Sequence, residues 1–354
     1  DLKHIHSEIC SAIQSELAGF NAGAVMVRLE EKFDELEKLL NAVHSFRECT
    51  DTAHCRIMGM GELLCVPIVE EVLLAKQQSV VVIDSRKYIV TTGNQKEGDP
   101  DYSKTSDNLR QYRDGESNSQ TRILLFPGFI CSWVGGTATE PIPGLLGRNG
   151  SDFSAAIVGS CLGSKRIQFW TDVDGIYTAD PRVVKDAILV DDMTYEEAME
   201  LAFFGSKVLH PKTLAPLAAK GIEAWSLNSM DTSVRGTRIG SGPFESSKDF
   251  GPVRGISCLK NTSMISVSGT GMKGRTGTAS RIFEAVSRAK ISILLITQSS
   301  SEYTISFCVR DEDSDKAKDA ITNEFDLEIR DGLINPVEVL KDCAIVSIVG
   351  DGMK

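Results

Sequence analysis

The sequence GLLGRNGSDFSAA, at residues 144–156, is followed by WTDVDGIYTADPR at 170–182 and by FGSKVLHPKT at 204–213. Together the three segments combine a glycine-rich turn that enters a helix, an acidic turn after a strand, and a lysine beside a helix start. That combination suits a site for a phosphorylated nucleotide and a small acidic substrate. A lone glycine-rich turn is weak evidence, because glycine also serves ordinary tight turns. The interpretation therefore rests on the ordered set of three.

The first segment places a glycine-rich turn directly before a helix of small residues. Backbone N–H groups at a helix start bind anions, and the helix dipole assists them. Arg148 offers the planar fork that suits a carboxylate or a phosphate. Asp152 is a candidate for orienting a cation or the incoming nucleophile. The alternative is that Ser151 or Asp152 only caps the helix, but this leaves Arg148 unexplained.

The second segment follows a predicted strand without a break. Thr171 and Asp172 stand at its carboxyl end, which is where ligands gather in open α/β sheets. An ordinary Asp-Gly turn is the competing interpretation of this segment taken alone. Tyr177 and Arg182 follow and supply an aromatic ring and a cation suited to a nucleotide.

The third segment supplies a lysine, and an earlier helix supplies a carboxylate. Lys207 is a candidate point charge for a phosphate, whereas His210 is better interpreted as a structural residue that fixes the turn before Pro211. Glu62 opens a helix predicted over residues 61–76, where it is a candidate acceptor for a substrate ammonium. A glutamate in a first helical turn is also common without any ligand.

Composition excludes several classes of protein. The chain has 354 residues, a formal net charge of −11 and an isoelectric point of about 5.1. This acidity disfavours nucleic-acid binding, which needs clustered Lys and Arg, and no apolar run is long enough to cross a membrane. The nine cysteines lack metal-ligand spacing, so we predict reduced thiols and no metal site. No P-loop or protein-kinase motif set is present.

Predicted strands alternate with predicted helices through the first two thirds of the chain. This alternation predicts an α/β fold with a mostly parallel sheet flanked by helices. Residues 91–122 are polar and lack periodicity, so we predict an exposed loop or a lid there. The Ser-, Gly- and Pro-rich stretch that begins at residue 229 predicts a linker.

A compact unit with the order β-α-β-β-α is predicted after the linker. Near the end of the chain, AIVSIVGDGMK (344–354) repeats MISVSGTGMK (264–273), which indicates an internal repeat. The second copy stops at its first turn. We therefore divide the chain into domains at 1–228 and 261–340, with a boundary at 229–260 and the start of a second repeat unit at 341–354.

Four segments resemble those of aspartate kinases: LGRNGSDFSA, WTDVDGIYTADPR, YEEAMELAFFGSKVLHPKT and SVSGTGMKG…ITQSSSEYTISF. They are most similar to the kinase and regulatory part of bifunctional aspartokinase–homoserine dehydrogenases. The resemblance implies an amino-acid-kinase fold followed by βαββα(β) ACT regulatory domains. It also implies transfer of the ATP γ-phosphoryl group to the β-carboxylate of L-aspartate, the first step of aspartate-family amino-acid biosynthesis.

The resemblance also implies roles for single residues. Glu62, Arg148 and Asp152 are expected to hold or orient aspartate, and Asp152 and Lys207 to act in catalysis. Mg²⁺ is expected to neutralise the phosphates. Ile296 and Gln298 match positions that bind an amino-acid effector, with threonine favoured and lysine as the alternative. The residues expected to line the ATP site are Thr171, Asp172, Tyr177, Arg182, Lys207 and Val208.

The sequence departs from the family's pattern in several places. The family opens with a strand and a KFGGTS loop whose lysine contacts the transferring phosphate, and this segment is missing here. The dehydrogenase half is also missing. We therefore expect a fragment of a larger protein, and a chain of this extent is expected to be a poor kinase, because a phosphate-clamping cation contributes several kcal/mol to the transition state.

Two other functions stay open at this stage. One is a catalytically silent module that binds threonine or lysine, and the other is a kinase of the same group with a different acid substrate. For the leading interpretation we expect ATP, aspartate and an amino-acid effector as ligands. We also expect a homo-oligomer formed through ACT units, without nucleic-acid or membrane partners, in the cytoplasm or, in a photosynthetic eukaryote, in a plastid.

Overall fold

The computed structural model describes residues 1–115, 122–135, 141–204, 209–242, 244, 253–272, 274–299 and 303–350. These residues fall into two compact units. The first unit comprises residues 1–176, 189–199 and 208–248, and the second comprises 177–188, 200–207 and 249–354.

The first unit opens with three helices and continues with strands and helices in alternation. None of the helices in the described ranges is both long enough and apolar enough to span a membrane. In chain order, the elements up to residue 240 are α1 (Leu2–Glu16), α2 (Ala22–Phe46), α3 (Asp51–Ala75), β1 (Val80–Val82), α4 (Ser85–Tyr88), β2 (Val90–Asn94), β3 (Glu97–Pro100), α5 (Tyr102–Gly115), β4 (Ile123–Leu125), β5 (Ile130–Trp133), β6 (Ile142–Leu145), α6 (Gly150–Leu162), β7 (Arg166–Thr171), β8 (Asp192–Thr194), α7 (Tyr195–Phe203), α8 (Pro211–Ala218), β9 (Glu223–Asn228) and β10 (Thr237–Gly240).

The strands described in the first unit form three sheets. One pairs β1 with β4, the second has the order β3-β2-β5-β6, and the third has the order β7-β9-β10-β8. Parallel pairs are β1–β4, β2–β5, β7–β9 and β8–β10. The pairs β2–β3, β5–β6 and β9–β10 are antiparallel. The predicted α/β fold is confirmed, with antiparallel strands added to a parallel framework.

Helix α6 is buried along much of its length because its residues are small or apolar. Phe153, Ile157 and Cys161 belong to one hydrophobic cluster with residues of β5 and α5. Gly159 permits close contact with β7, since a Cβ atom there would lie 2.2 Å from Cδ1 of Ile167. The helix ends at Gly163, whose φ of 69° is the left-handed conformation typical of a helix C-terminus.

The prediction of a loop over residues 91–122 is wrong for most of that segment. The described part forms the hairpin β2–β3 and the helix α5. The side chain of Asp101 accepts a hydrogen bond from the N–H of Lys104 at 3.0 Å and so caps α5. Thr105 and Leu109 are the buried residues of this helix. Among the residues of α5 whose side chains the structure describes, only these two are buried, so the sequence shows little helical periodicity. Residues 116–121 lie outside the described residues.

In its described residues, the second unit contains an antiparallel sheet and three α-helices that lie wholly within the unit. Its elements are β11 (Gly255–Ser268), α9 (Thr278–Arg288), β12 (Leu295–Gln298), β13 (Thr304–Arg310), α10 (Ser314–Glu324), α11 (Asp326–Arg330) and β14 (Glu338–Val349). The sheet has the order β12-β13-β11-β14. Ile265, Phe307, Ile321 and Phe325 are fully buried in its core. The β-α-β-β-α order predicted for this segment is confirmed, and β14, which was assigned to a second repeat unit, pairs with β11 in the same sheet.

Candidate functional site

A direct hydrogen bond joins α3 to the first turn of α6. The hydroxyl of Ser151 donates to Oε1 of Glu62 at 2.7 Å. Glu62 is partly exposed, and the neighbouring Gly61 has open space where a side chain would be. The bond therefore brings a carboxylate from one helix to the positive end of another. Ser151 was predicted only as a helix cap, and nothing in the sequence indicated a partner 89 positions away.

The start of α6 lacks a side-chain cap. Asn149 precedes the helix in a left-handed conformation, with φ of 54°, and its side chain makes no capping hydrogen bond. Since the first N–H groups of a helix have no partner within it, this turn can accept an anionic group. Capping by Ser151 or Asp152 is not what the structure shows, because the cap residue is Asn149.

Asp152 lies in this same first turn and is half-buried. Burial raises the pKa of Asp152, and a hydrogen bond from the Asn149 side chain opposes that rise. A carboxylate held in a partly desolvated position interacts more strongly with a nearby cation than one in open water. Glu62 and Asp152, both predicted site residues, therefore border the same helix end.

Arg148 is exposed and lies close enough to His210 to affect its charge. Burial, together with the positive charges of Lys212 and Arg148, lowers the pKa of His210, while Glu97 acts in the opposite direction. Nδ1 of His210 accepts a hydrogen bond from the N–H of Lys212 at 3.2 Å and caps α8. The structural interpretation of His210 is consistent with this geometry. Arg148 thus lies near His210 in space, and in the chain it directly precedes Asn149, the cap residue of α6.

The carboxyl ends of β7 and β9 lie side by side, because these strands are parallel neighbours that pair Thr171 with Asn228. The hydroxyl of Thr171 donates to Oδ1 of Asp172 at 3.1 Å. The side-chain amide of Asn228 donates to Oδ1 of Asp174 at 2.6 Å. Asp172 is exposed. Asn228 was missed by sequence reasoning, although its position at the end of a predicted strand was a usable signal.

The other residues predicted to bind the nucleotide do not all belong to the first unit, which contains this strand end. Tyr177 and Arg182 belong to the second unit. Arg182 is exposed and forms an ion pair with Asp180 at 2.8 Å. Lys207 and Val208 lie outside the described residues. In the described part of the chain, no group of three or more His, Cys, Asp or Glu side chains could hold a metal ion.

The predicted effector residues lie on β12, at an edge of the second unit's sheet. Ile296 pairs with Phe307 and Gln298 with Ile305 across β13. All four residues of β12 are exposed, and Ile296 is 52% exposed. Exposed apolar side chains on an edge strand are available to a ligand or to another chain.

Comparison with known proteins agrees with this fold and with these motifs. The profile of the amino acid kinase family matches residues 14–228, and that of the ACT domain matches residues 265–325. The bifunctional aspartokinase/homoserine dehydrogenase of Haemophilus influenzae is 37% identical over 350 residues, which is 99% of this chain and 42% of that protein. The lysine-sensitive aspartokinase 3 of Escherichia coli is 29% identical, with coverage of 90% and 69%.

A solved structure is similar along almost the whole chain. E. coli aspartokinase III in complex with aspartate and ADP, in its R-state, superimposes with a TM-score of 0.79 at 25% identity, covering 99% of this chain and 74% of the other. The fold is therefore that of an amino-acid kinase followed by an ACT domain. This chain belongs to the amino acid kinase family. It spans less than half the length of its bifunctional relatives from H. influenzae and Buchnera aphidicola.

Proposed function

We propose that the protein is an aspartate kinase that transfers the γ-phosphoryl group of ATP to the β-carboxylate of L-aspartate. The observation that carries this proposal is the hydrogen bond between Ser151 and Glu62. It sets a carboxylate that can accept an ammonium beside a helix end that can accept a carboxylate. An α-amino acid with a second carboxylate presents just these groups.

Each substrate group has a counterpart in this site. The α-ammonium of aspartate binds Glu62, and the α-carboxylate binds Arg148 through its paired N–H donors. Asp152 orients the reacting groups at the start of α6. An oxygen of the β-carboxylate attacks the γ-phosphorus, the bond from that phosphorus to the β-phosphate oxygen breaks, and ADP leaves. Positioning and charge neutralisation supply most of the catalysis in such a reaction.

The nucleotide is proposed to bind at the carboxyl ends of β7 and β9. Thr171 and Asp172 line this end, while Tyr177, Arg182, Lys207 and Val208 are assigned to ATP by the motif pattern. Lys207 supplies a positive charge for the phosphates and acts in catalysis. Mg²⁺ enters as part of the MgATP substrate, because it is usually bound by phosphates, waters and one or two carboxylates rather than by a protein cage.

The relatives support the choice of substrate. The aspartokinase III complex contains aspartate and ADP, and a second crystal structure of the same enzyme, in its T-state, contains lysine and aspartate. Two relatives that are 37% and 38% identical combine aspartokinase with homoserine dehydrogenase. Aspartate is therefore the acid we assign to this site.

The second unit is proposed to regulate the kinase. We assign an amino-acid effector to β12, where it contacts Ile296 and Gln298, with threonine preferred over lysine. We keep the proposed domains at 1–228 and 261–340 and the second ACT unit from 341, whereas the segment 229–260, predicted as a linker, contains β10 and the start of β11. Edge strands such as β12 favour a homo-oligomer. We place the enzyme in the cytoplasm, or in a plastid for a photosynthetic eukaryote.

The test is a coupled assay of ADP release by the full-length protein with a panel of acids. L-Aspartate, L-glutamate and N-acetyl-L-glutamate are compared at equal concentrations with MgATP. We expect ADP release with aspartate only. ADP release with N-acetyl-glutamate but not with aspartate contradicts the assignment, because that acid carries no free ammonium for Glu62.

A further inference from the structure

The backbone at Phe129 adopts a rare and strained turn. The N–H of Ile130 donates to the carbonyl of Gly128 at 2.6 Å, and Phe129 between them has φ of 64°. A hydrogen bond from residue i+2 to residue i with a positive φ at the centre defines the uncommon form of the γ-turn. For a bulky residue such as phenylalanine, this conformation is a genuine outlier. Strain of this kind persists only where the surroundings impose it, and it is concentrated at functional sites.

One side of the γ-turn, defined as Gly128–Ile130, is fixed to the first turn of α6. A Cβ atom on Gly150 would lie 2.5 Å from the ring of Phe129, and one on Gly128 would lie 2.8 Å from Cα of Ser151. The N–H of Phe129 donates to the hydroxyl of Ser154 at 2.8 Å. The γ-turn and the helix start are therefore in direct contact at the residues that present the candidate aspartate site.

The other side of the γ-turn contacts α3. A Cβ atom on Gly59 would lie 2.8 Å from Cγ2 of Ile130. Phe129 and Leu63 both pack against the buried cluster that contains Cys55 and Ile130. Leu63 is the neighbour of Glu62 on α3. The γ-turn thus lies between the helix that carries Glu62 and the helix start that carries Ser151.

We propose that Phe129 is a positioning residue that sets the distance between Glu62 and the first turn of α6, and thereby the affinity for aspartate. The inference rests on the proposed function, because it assumes that both helices bind this substrate. The ring acts as a wedge against Gly150, and the strained backbone keeps the ring in that place. A glycine at this position adopts the same φ at no steric cost, but it lacks the ring that packs against Gly150.

Four forms of the full-length protein test the proposal: wild type, Phe129→Gly, Phe129→Asn and Phe129→Leu. Glycine and asparagine both tolerate positive φ, so these two variants keep the backbone and remove the ring. Leucine keeps an apolar wedge. We expect the KM for aspartate to rise ~10-fold or more in the glycine and asparagine variants, because small misplacements of binding groups are costly. We expect the KM for ATP to stay within about twofold of the wild-type value. We expect the leucine variant to keep most of the wild-type affinity for aspartate.

Thermal unfolding with and without saturating aspartate gives a second readout that does not depend on turnover. We expect aspartate to raise the melting temperature of the wild type and of Phe129→Leu, and to raise it less in the other two variants. An unchanged aspartate KM in the ring-free variants, or an equal rise in the KM for ATP, overturns the positioning role. Failure of the wild type to use aspartate at all is a different result, and it overturns the proposed function instead.

Discussion

Ser151 and Glu62 show how one short side chain can define a site. Their hydrogen bond joins residues far apart in the sequence, at 2.7 Å. A carboxylate that accepts a hydrogen bond has a fixed direction for its remaining lone pairs. Under the proposed function, Glu62 is therefore oriented before aspartate binds, and less entropy is lost on binding.

We predict that Glu62→Gln in the full-length protein raises the KM for aspartate while leaving that for ATP nearly unchanged. The variant loses the charge that binds an ammonium, and hydrogen bonds between charged groups contribute ~1.5–3 kcal/mol. This corresponds to a ~10- to 100-fold loss in kcat/KM. Ser151→Ala is expected to have a smaller effect of the same kind. Steady-state kinetics with each substrate varied in turn measures both.

The matched control for Glu62 is Glu31→Gln, which removes an exposed carboxylate from α2. Its kinetics are expected to equal those of the wild type. If Glu31→Gln and Glu62→Gln weaken aspartate binding equally, the effect comes from net charge, and the role assigned to Glu62 is wrong.

Asp152 carries a cost in stability that its proposed function explains. Its pKa is raised mainly by burial, so the folded protein binds this proton more tightly than the unfolded chain does. Relative to a neutral side chain, the ionised carboxylate destabilises the fold at pH values above its raised pKa. That penalty disappears as the pH falls below the ordinary value of about 3.9.

We therefore predict that Asp152→Asn is more stable than the wild type near pH 7 but much less active. The difference in the free energy of unfolding should shrink as the pH is lowered towards about 4. Denaturant unfolding across this range, together with activity at neutral pH, measures both effects. A variant that is less stable at neutral pH and fully active would refute the assignment.

At the scale of elements, sequence patterns predicted those helices and strands whose signals are local. Thr194 is a residue type that favours helix N-termini, and its hydroxyl accepts a hydrogen bond from the N–H of Glu197 in α7 at 3.2 Å. The prediction failed for α5, whose inward face consists of Thr105 and Leu109. It also missed the γ-turn at Phe129, because no local rule places a phenylalanine at positive φ.

The helices of the second unit are joined by a charged cluster around Arg281. Its guanidinium contacts Glu324 at 2.9 Å and Glu328 at 2.6 Å, and it lies over the ring of Phe325. The pKa of both glutamates is lowered, and hydrogen bonds from Arg281 are the largest cause. Their contribution to stability is therefore present above the ordinary pKa of about 4.3 and is lost as the pH falls through the lowered values.

We predict that Arg281→Met destabilises the second unit by about 1 kcal/mol at neutral pH, after allowance for solvent screening of this partly exposed cluster. The loss should diminish at acidic pH, where both glutamates become protonated. The control is Arg330→Met, which breaks the exposed pair with Asp326 within α11 and should change stability by less than about 0.5 kcal/mol. Equal losses in the two variants would show that Arg281 does not join the helices.

At the scale of the whole molecule, the sequence predicted the α/β fold of the first unit and the β-α-β-β-α order of the second, but not the pairing of β14 with β11. Both predictions rest on hydrophobic periodicity and on the order of predicted strands and helices, which can be read from a single sequence. The sequence could not predict the contact between α3 and α6, since hydrogen bonds between distant residues leave no periodic signal. Glu62, Arg148 and Asp152 were identified by motif, whereas Ser151 and Phe129 emerged only from the three-dimensional structure.

We predict that the protein binds threonine, and that Gln298→Ala weakens this binding at least ~5-fold, as expected from the loss of about one hydrogen bond. Titration calorimetry with threonine and with lysine measures the affinity of each. Lys318→Ala, which changes an exposed residue of α10, is the control and should bind normally. The absence of heat with both amino acids would contradict an effector site on β12.

The most direct test of the account is to trap the product of the full-length protein with hydroxylamine in the presence of MgATP and L-aspartate. Mass spectrometry and NMR then identify which carboxylate was activated. The account predicts ADP together with β-aspartyl hydroxamate, and a strong reduction of both in Glu62→Gln. Recovery of the α-hydroxamate, or of no hydroxamate under conditions where ATP is bound, would contradict it.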